Sequence, residues 1–163
     1  MTKAALCGSA MLIALCLGGR AGAENATGVE AQRAATSVAV YGPAFPPTAP
    51  DRSLYLLRYE IPPGTRLPAH HHEGTQVATI VSGTLTYHVL AGAVPIYRAA
   101  EGGAPVLDRA LNAGEVGTIQ PGEWLVEAED VHHWGANEGP DPLVIYTASL
   151  LRAGAPLATP DPN

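Results

Sequence analysis

From Ser53 onward, short apolar or alternating runs are cut at regular intervals by glycine and proline. Leu54 to Ile61 is rich in strand-forming residues and is stopped by Pro62-Pro63-Gly64. Gln76 to Val81 predicts a further strand, and Ser82-Gly83 a turn. Thr84 to Val89 then alternates, with Leu85, Tyr87 and Val89 on one face and Thr84, Thr86 and His88 on the other. After a turn over Glu138 to Pro142, Leu143 to Leu150 is a continuous apolar run suited to a barrel interior. No helical period is evident after residue 23. Repeated short strands of this kind predict an all-β sandwich or barrel, folded as a single domain.

The first 23 residues differ from the rest. Lys3 precedes an apolar run from Ala4 to Leu17, and small residues in an Ala-x-Ala pattern end at Ala23. That predicts a secretory signal peptide over 1–23, cut before Glu24, and hence a periplasmic or secreted protein. The run is short for a membrane span, which takes about 20 apolar residues, so no membrane association is expected after cleavage. Cys7 and Cys16 both leave with the signal, which removes disulfide and thiolate chemistry from the mature chain. Loss of Lys3 and Arg20 leaves seven Arg against fifteen acidic residues, a formal charge of 7 − 15 = −8. Nucleic acid is therefore not an expected partner, because phosphate binding relies on a basic surface.

Residues 24–52 are Ala-, Thr- and Pro-rich and predict an extended or partly disordered leader, in which Val38 to Tyr41 could add an edge strand, even to a neighbouring subunit. The barrel itself is expected over 53–151 and a loose tail over 152–163. Asn25-Ala26-Thr27 fits a glycosylation sequon, but it lies at the cut site and is read as idle. Residues 90–121 predict an extra hairpin, either a lip over the barrel mouth or an exposed excursion without consequence.

The densest chemistry lies at Ala69-His70-His71-His72-Glu73-Gly74-Thr75-Gln76. In an extended strand His70 and His72 share a face and His71 points away. A turn at Glu73-Gly74 would bring the Gln76 amide oxygen back to the same ion. A fourth ligand must come from elsewhere, and Gly122 to Asn137, with His132 and His133, is the candidate stretch. Together these segments resemble the cupins. Gly64, His70, His72 and Gly83 fall on the first cupin motif, G-x5-H-x-H-x3or4-E-x6-G, with Gln76 where Glu is usual. Gly122, His133 and Asn137 fall on the second, G-x5-P-x-G-x2-H-x3-N, with Ala128 in place of Pro and Asp130 in place of Gly. The resemblance implies a double-stranded β-helix, or jelly-roll barrel, and a metal site of His70, His72, Gln76 and His133. By the same spacing His132 and His71 are expected to face away from the ion. Cupins commonly pair, so a homodimer is also implied.

A neutral amide in place of a carboxylate would leave a divalent ion its full double charge, making it a stronger Lewis acid and favouring anionic or enolic ligands. Imidazole and oxygen donors without sulfur suit Zn, Mn, Fe, Ni or Co without choosing among them. Three functions follow. One is a small metalloenzyme of isomerase or lyase type acting on a small oxygenated or carboxylate-bearing molecule. The second is a metal-dependent dioxygenase of the quercetin-cleaving kind, and the third a noncatalytic ligand-binding or sensing module. Tyr87, Tyr97, His88 and Glu127 are candidates by type for moving a proton, but no catalytic residue is assigned. An Arg in the pocket, such as Arg58 or Arg98, would favour the first function; an apolar, aromatic-lined pocket the second; a closed site the third.

Overall fold

The computed structural model describes residues 36–162. The expected signal peptide, its two cysteines and the Asn25 sequon lie outside the described residues. Twelve strands and no helix are found among those described: β1 (Thr36–Ala44), β2 (Arg52–Ile61), β3 (His70–His71), β4 (Gly74–Ser82), β5 (Leu85–Ala91), β6 (Ala93–Ala99), β7 (Pro105–Asn112), β8 (Val116–Ile119), β9 (Glu123–Glu127), β10 (His132–Ala136), β11 (Leu143–Arg152) and β12 (Thr159–Pro160). No described helix is long and apolar enough to cross a membrane.

Two antiparallel sheets form. The larger runs in the order β1-β2-β11-β4-β9-β6-β7 and the smaller β12-β3-β10-β5-β8. Apart from β1–β2 and β6–β7, neighbours in space are not consecutive in sequence, so there the faces, not the turns, hold the register. Inward residues of the larger sheet, among them Ile61, Ala78, Ile80, Val94, Ile96, Leu125, Leu143 and Ile145, meet Leu85, Tyr87, Val89 and Ile119 of the smaller in one core. Full burial of a side chain of this size contributes about 1.5–3 kcal/mol.

Strand β11 departs from the sequence expectation. Its apolar run is not buried throughout: Leu143, Ile145, Thr147, Ser149 and Leu151 face in, while Ala148 and Leu150 face out. A strand in a two-layer antiparallel fold has one covered face, so period 2 prevails over the continuous apolar pattern. The segment expected as a leader also contributes to the fold. Strand β1 pairs with β2 of its own chain, with one register shift between Ala39 and Tyr41 and a second across Gly42-Pro43, and forms one edge of the larger sheet. The hairpin expected within 90–121 is β6–β7, joined through residues 100–104. It sits at the opposite edge of that sheet and contributes nothing to the lining of the pocket described below, so of the two readings the lip is not the one seen.

The expected loose tail is instead built in. Arg152 donates its backbone N–H to the Glu73 carbonyl and its guanidinium pairs with the Glu73 carboxylate. Beyond it, β12 pairs Thr159 with His71 and Pro160 with His70. Two residues of strand carry almost no pattern, which is why the sequence predicts coil there; the register comes from the partner strand.

Candidate metal centre

Three strands present the histidines. On β3 and its extension His70 and His72 face the core side, and β10 places His133 directly opposite His70. The ring centroids of His70 and His133 are 4.3 Å apart, those of His70 and His72 5.0 Å, and those of His72 and His133 5.5 Å. One ring nitrogen from each lies within 4.8 Å of the others. His72 and His133 are buried and His70 is half-buried.

Backbone carbonyls fix two of the tautomers. His70 donates from Nδ1 to the Pro68 carbonyl at 2.8 Å, and His72 from Nδ1 to the Leu157 carbonyl at 2.7 Å. Each Nε2 is thereby left with its lone pair free, as metal-binding histidines require. The tail thus orients one of the three imidazoles. The Nδ1 of His133 is buried and makes no hydrogen bond.

Gln76 and Glu127 complete the floor of the site. They are cross-strand partners on β4 and β9, and the Gln76 amide donates to Glu127 Oε2 at 2.8 Å. The same amide nitrogen lies 3.3 Å from His72 Nε2, while its oxygen accepts from Ser149 Oγ at 2.6 Å. Glu127 also accepts from the Tyr87 hydroxyl at 2.8 Å and sits 3.3 Å from His72 Nε2 and 3.4 Å from His133 Nε2. The structure therefore brings Gln76 alongside the three histidines, with its nitrogen rather than its oxygen turned toward them.

The electrostatics follow from burial and this carboxylate. Burial alone would push the Glu127 carboxyl up, but the His133 and His72 rings and the Tyr87 hydroxyl outweigh it and hold it down at about 2. Burial lowers His133 to about 4 and also lowers His70. For His72 burial works in the same downward direction, yet the hydrogen bond and charge of Glu127 prevail and the ring is raised. Burial and Glu127 raise Tyr87 well above the usual tyrosine range and Tyr59 to about 12, keeping both neutral.

Other sequence candidates lie elsewhere. His88 stacks on Trp134 at 3.5 Å with the Arg66 guanidinium 3.7 Å from that same ring, and Tyr97 stacks with Trp124. Asn137 is buried and bonds the carbonyls of Ile61 and Asp141, tying strand ends together. Arg58 pairs with Glu60 and Arg98 with Asp108, and neither lines the pocket. That pocket, a cavity of about 240 Å³ above the histidines, is walled by Tyr59, Ile61, Leu67, Ala78, Leu85 and Ile145 on the barrel side and by Ala158 and Pro160 of the tail. Its polar side chains are those of the site itself with Thr147 and Tyr59. Glu127 entered the sequence reading only by residue type; its pairing with Gln76 spans 51 positions and leaves no local pattern.

Neither a protein-family model nor a curated protein matches this sequence. Solved structures do match. A cupin 2 domain-containing protein from Halorhodospira halophila superposes with a TM-score of 0.52 at 16% identity, covering 83% of this chain and 76% of that one. A cupin superfamily protein from Desulfitobacterium hafniense gives 0.49 at 12% identity, covering 74% and 80%. KdgF from Halomonas sp. gives 0.46 at 20% identity, covering 74% and 82%. With its two antiparallel sheets and continuous core, the chain has the cupin fold, an all-β jelly-roll barrel.

Proposed function

We propose that this chain is a metal-dependent enzyme of the periplasm or cell exterior that acts on a small, mostly apolar molecule bearing adjacent oxygen atoms, such as an enediol, hydroxyketone or phenol. The observation that carries this reading is the triad of His70, His72 and His133, the last two buried, at the floor of an apolar cavity, with one carboxylate, Glu127, against it. The donor set fits a divalent transition ion. Two imidazoles have their tautomers set by backbone carbonyls, and the third turns its Nε2 to the same point, 3.4 Å from Glu127 Oε1. Gln76 would join through its amide oxygen, because Ser149, as a hydroxyl, can serve either end of an amide. Turning the amide gives up its hydrogen bond to the ionised Glu127, and both oxygens would then face the cation.

An ion there would polarise a carbonyl or hydroxyl oxygen. The remaining roles belong to the chain. Glu127 holds and returns the proton, the Tyr87 hydroxyl fixes its Oε1, and Tyr59 with the aliphatic wall excludes water. Lewis-acid proton transfer is the primary reading. The dioxygenase reading gains from a pocket that is apolar, tyrosine-lined and without any arginine to clamp a carboxylate. Metal-loaded protein incubated with enediols and catechols in deuterated water separates them: deuterium incorporation without oxygen uptake supports proton transfer, and stoichiometric oxygen uptake supports the second. Neither, across Zn, Mn, Fe, Ni and Co, would leave a binding module. Location is tested by fractionation and N-terminal sequencing, with Glu24 expected first. A homodimer is part of the same reading, built on the apolar outer face of the larger sheet.

A further inference from the structure

The alternation that turns His70, His72 and His133 inward turns His71 and His132 to the opposite face of the smaller sheet. There they meet. Their ring centroids are 4.6 Å apart, and each Nδ1 lies 2.8 Å from the same oxygen, Oδ1 of Asp161. The three residues come from β3, from β10 and from the position after β12, which are consecutive strands in the sheet. The Asp161 backbone N–H donates to the Ala69 carbonyl at 3.0 Å, so the carboxylate is positioned by main chain as well.

A second observation concerns the other carboxylate oxygen. Oδ2 of Asp161 is buried and has no hydrogen-bond partner. Leaving a buried acceptor unpaired is costly, and more so when it is charged. Two imidazoles converging on one oxygen while its twin goes unmatched is an incomplete arrangement for hydrogen bonding alone. It is a sufficient one for a cation, which can engage both oxygens of a carboxylate together with two ring nitrogens.

We propose that His71, His132 and Asp161 form a second metal site, separate from the barrel site and facing away from it. Each offers one ligand atom within 4.8 Å of the others. Two nitrogens and a carboxylate select a borderline ion such as Zn, Co, Ni or Cu over Mg or Ca, which prefer all-oxygen shells. Arg66, Leu67 and Pro68 border a groove that reaches Asp161, which leaves room for water to complete the coordination. The site's role is to fasten the tail. Its Asp161 lies one residue beyond Pro160 and four beyond Leu157, and these form part of the barrel pocket wall and the anchor of His72.

The test is a metal count on the full chain, stripped with chelator, reloaded with Zn and analysed after dialysis. Two equivalents are expected for the parent protein and one for Asp161→Asn or His132→Gln. The glutamine amide can still donate to Asp161, so His132→Gln decides the matter where Asp161→Asn does not fold. The complementary change, His133→Ala, should lose the barrel equivalent and keep the outer one. A count in His132→Gln equal to that of the parent overturns the proposal, as does loss of metal from both sites at once.

Discussion

Replacing Gln76 with glutamate would restore the residue usual in the first cupin motif, yet here it sets two carboxylates against each other. The Gln76 amide donates to Glu127 at 2.8 Å, and both side chains are buried. Like charges at that separation cannot both persist, so one must take up a proton. Gln76→Glu is therefore expected to keep its metal and to shift the acid limb of its pH–activity profile upward by about a unit or more; an unchanged profile would show that Glu127 does not share the site's proton. A second expectation concerns the metal-stripped protein. The unfolded His133 binds a proton near 6.5 and the folded one near 4, so between those values the unfolded state holds more protons and stability falls as pH falls. The loss is at most about 3.4 kcal/mol, from 1.36 kcal/mol per unit. His70 acts in the same direction, whereas His72, raised, adds stability below 6.5 that is lost as pH rises through its folded value. Below 4.5 Glu127 adds its own loss, complete near its folded value of about 2. Urea midpoints at pH 7, 5.5 and 4 check this: the midpoint should drop, and His133→Asn should flatten the drop. At this scale alternation alone separates inward His70 and His72 from outward His71. The choice of His133 over His132 needs the resemblance, and the Gln76–Glu127 pair is visible only once β4 and β9 are side by side.

Among the elements, strands β2, β4, β5 and β11 and the β6–β7 hairpin are legible because each is long enough to express its period or its bounding turn. The tail and β1 are not, for a common reason: proline and small residues suppress the local signal, and pairing with an already formed strand supplies the structure. The motif glycines separate into two physical kinds. Gly83 has φ +75°, and a Cβ added there would lie 2.8 Å from Leu143 Cα and 3.1 Å from the Pro142 carbonyl. Gly122 has φ +86° with open space around it. Alanine at Gly122 should cost only the left-handed backbone penalty, about 1–2 kcal/mol. Alanine at Gly83 must also push β11 away from the turn, so it should melt several degrees lower than Gly122→Ala. Equal melting temperatures would mean that close approach of the two strands is not what Gly83 provides.

Across the larger sheet, the outer face is apolar where three strands meet. Leu54 and Leu56 of β2, Val77 of β4 and Leu150 of β11 are exposed. Leu150 is the register partner of Leu54, and Ala148 lies between Leu56 and Val77, so these residues form one patch. A contiguous exposed apolar patch is a natural contact surface, and since a stable pair needs about 800 Å² from each partner, the contact must extend beyond these four side chains. A two-fold contact satisfies this with a single surface, since the same patch serves both copies. Sedimentation at tens of micromolar should therefore give a dimer, and Leu56→Arg with Leu150→Arg a monomer. The barrel site faces the opposite layer, so its metal content should be unaffected by this change. A parent protein that sediments as a monomer, or a double variant that remains dimeric, would place the contact elsewhere. The apolar face would then have to be covered by something other than a second copy.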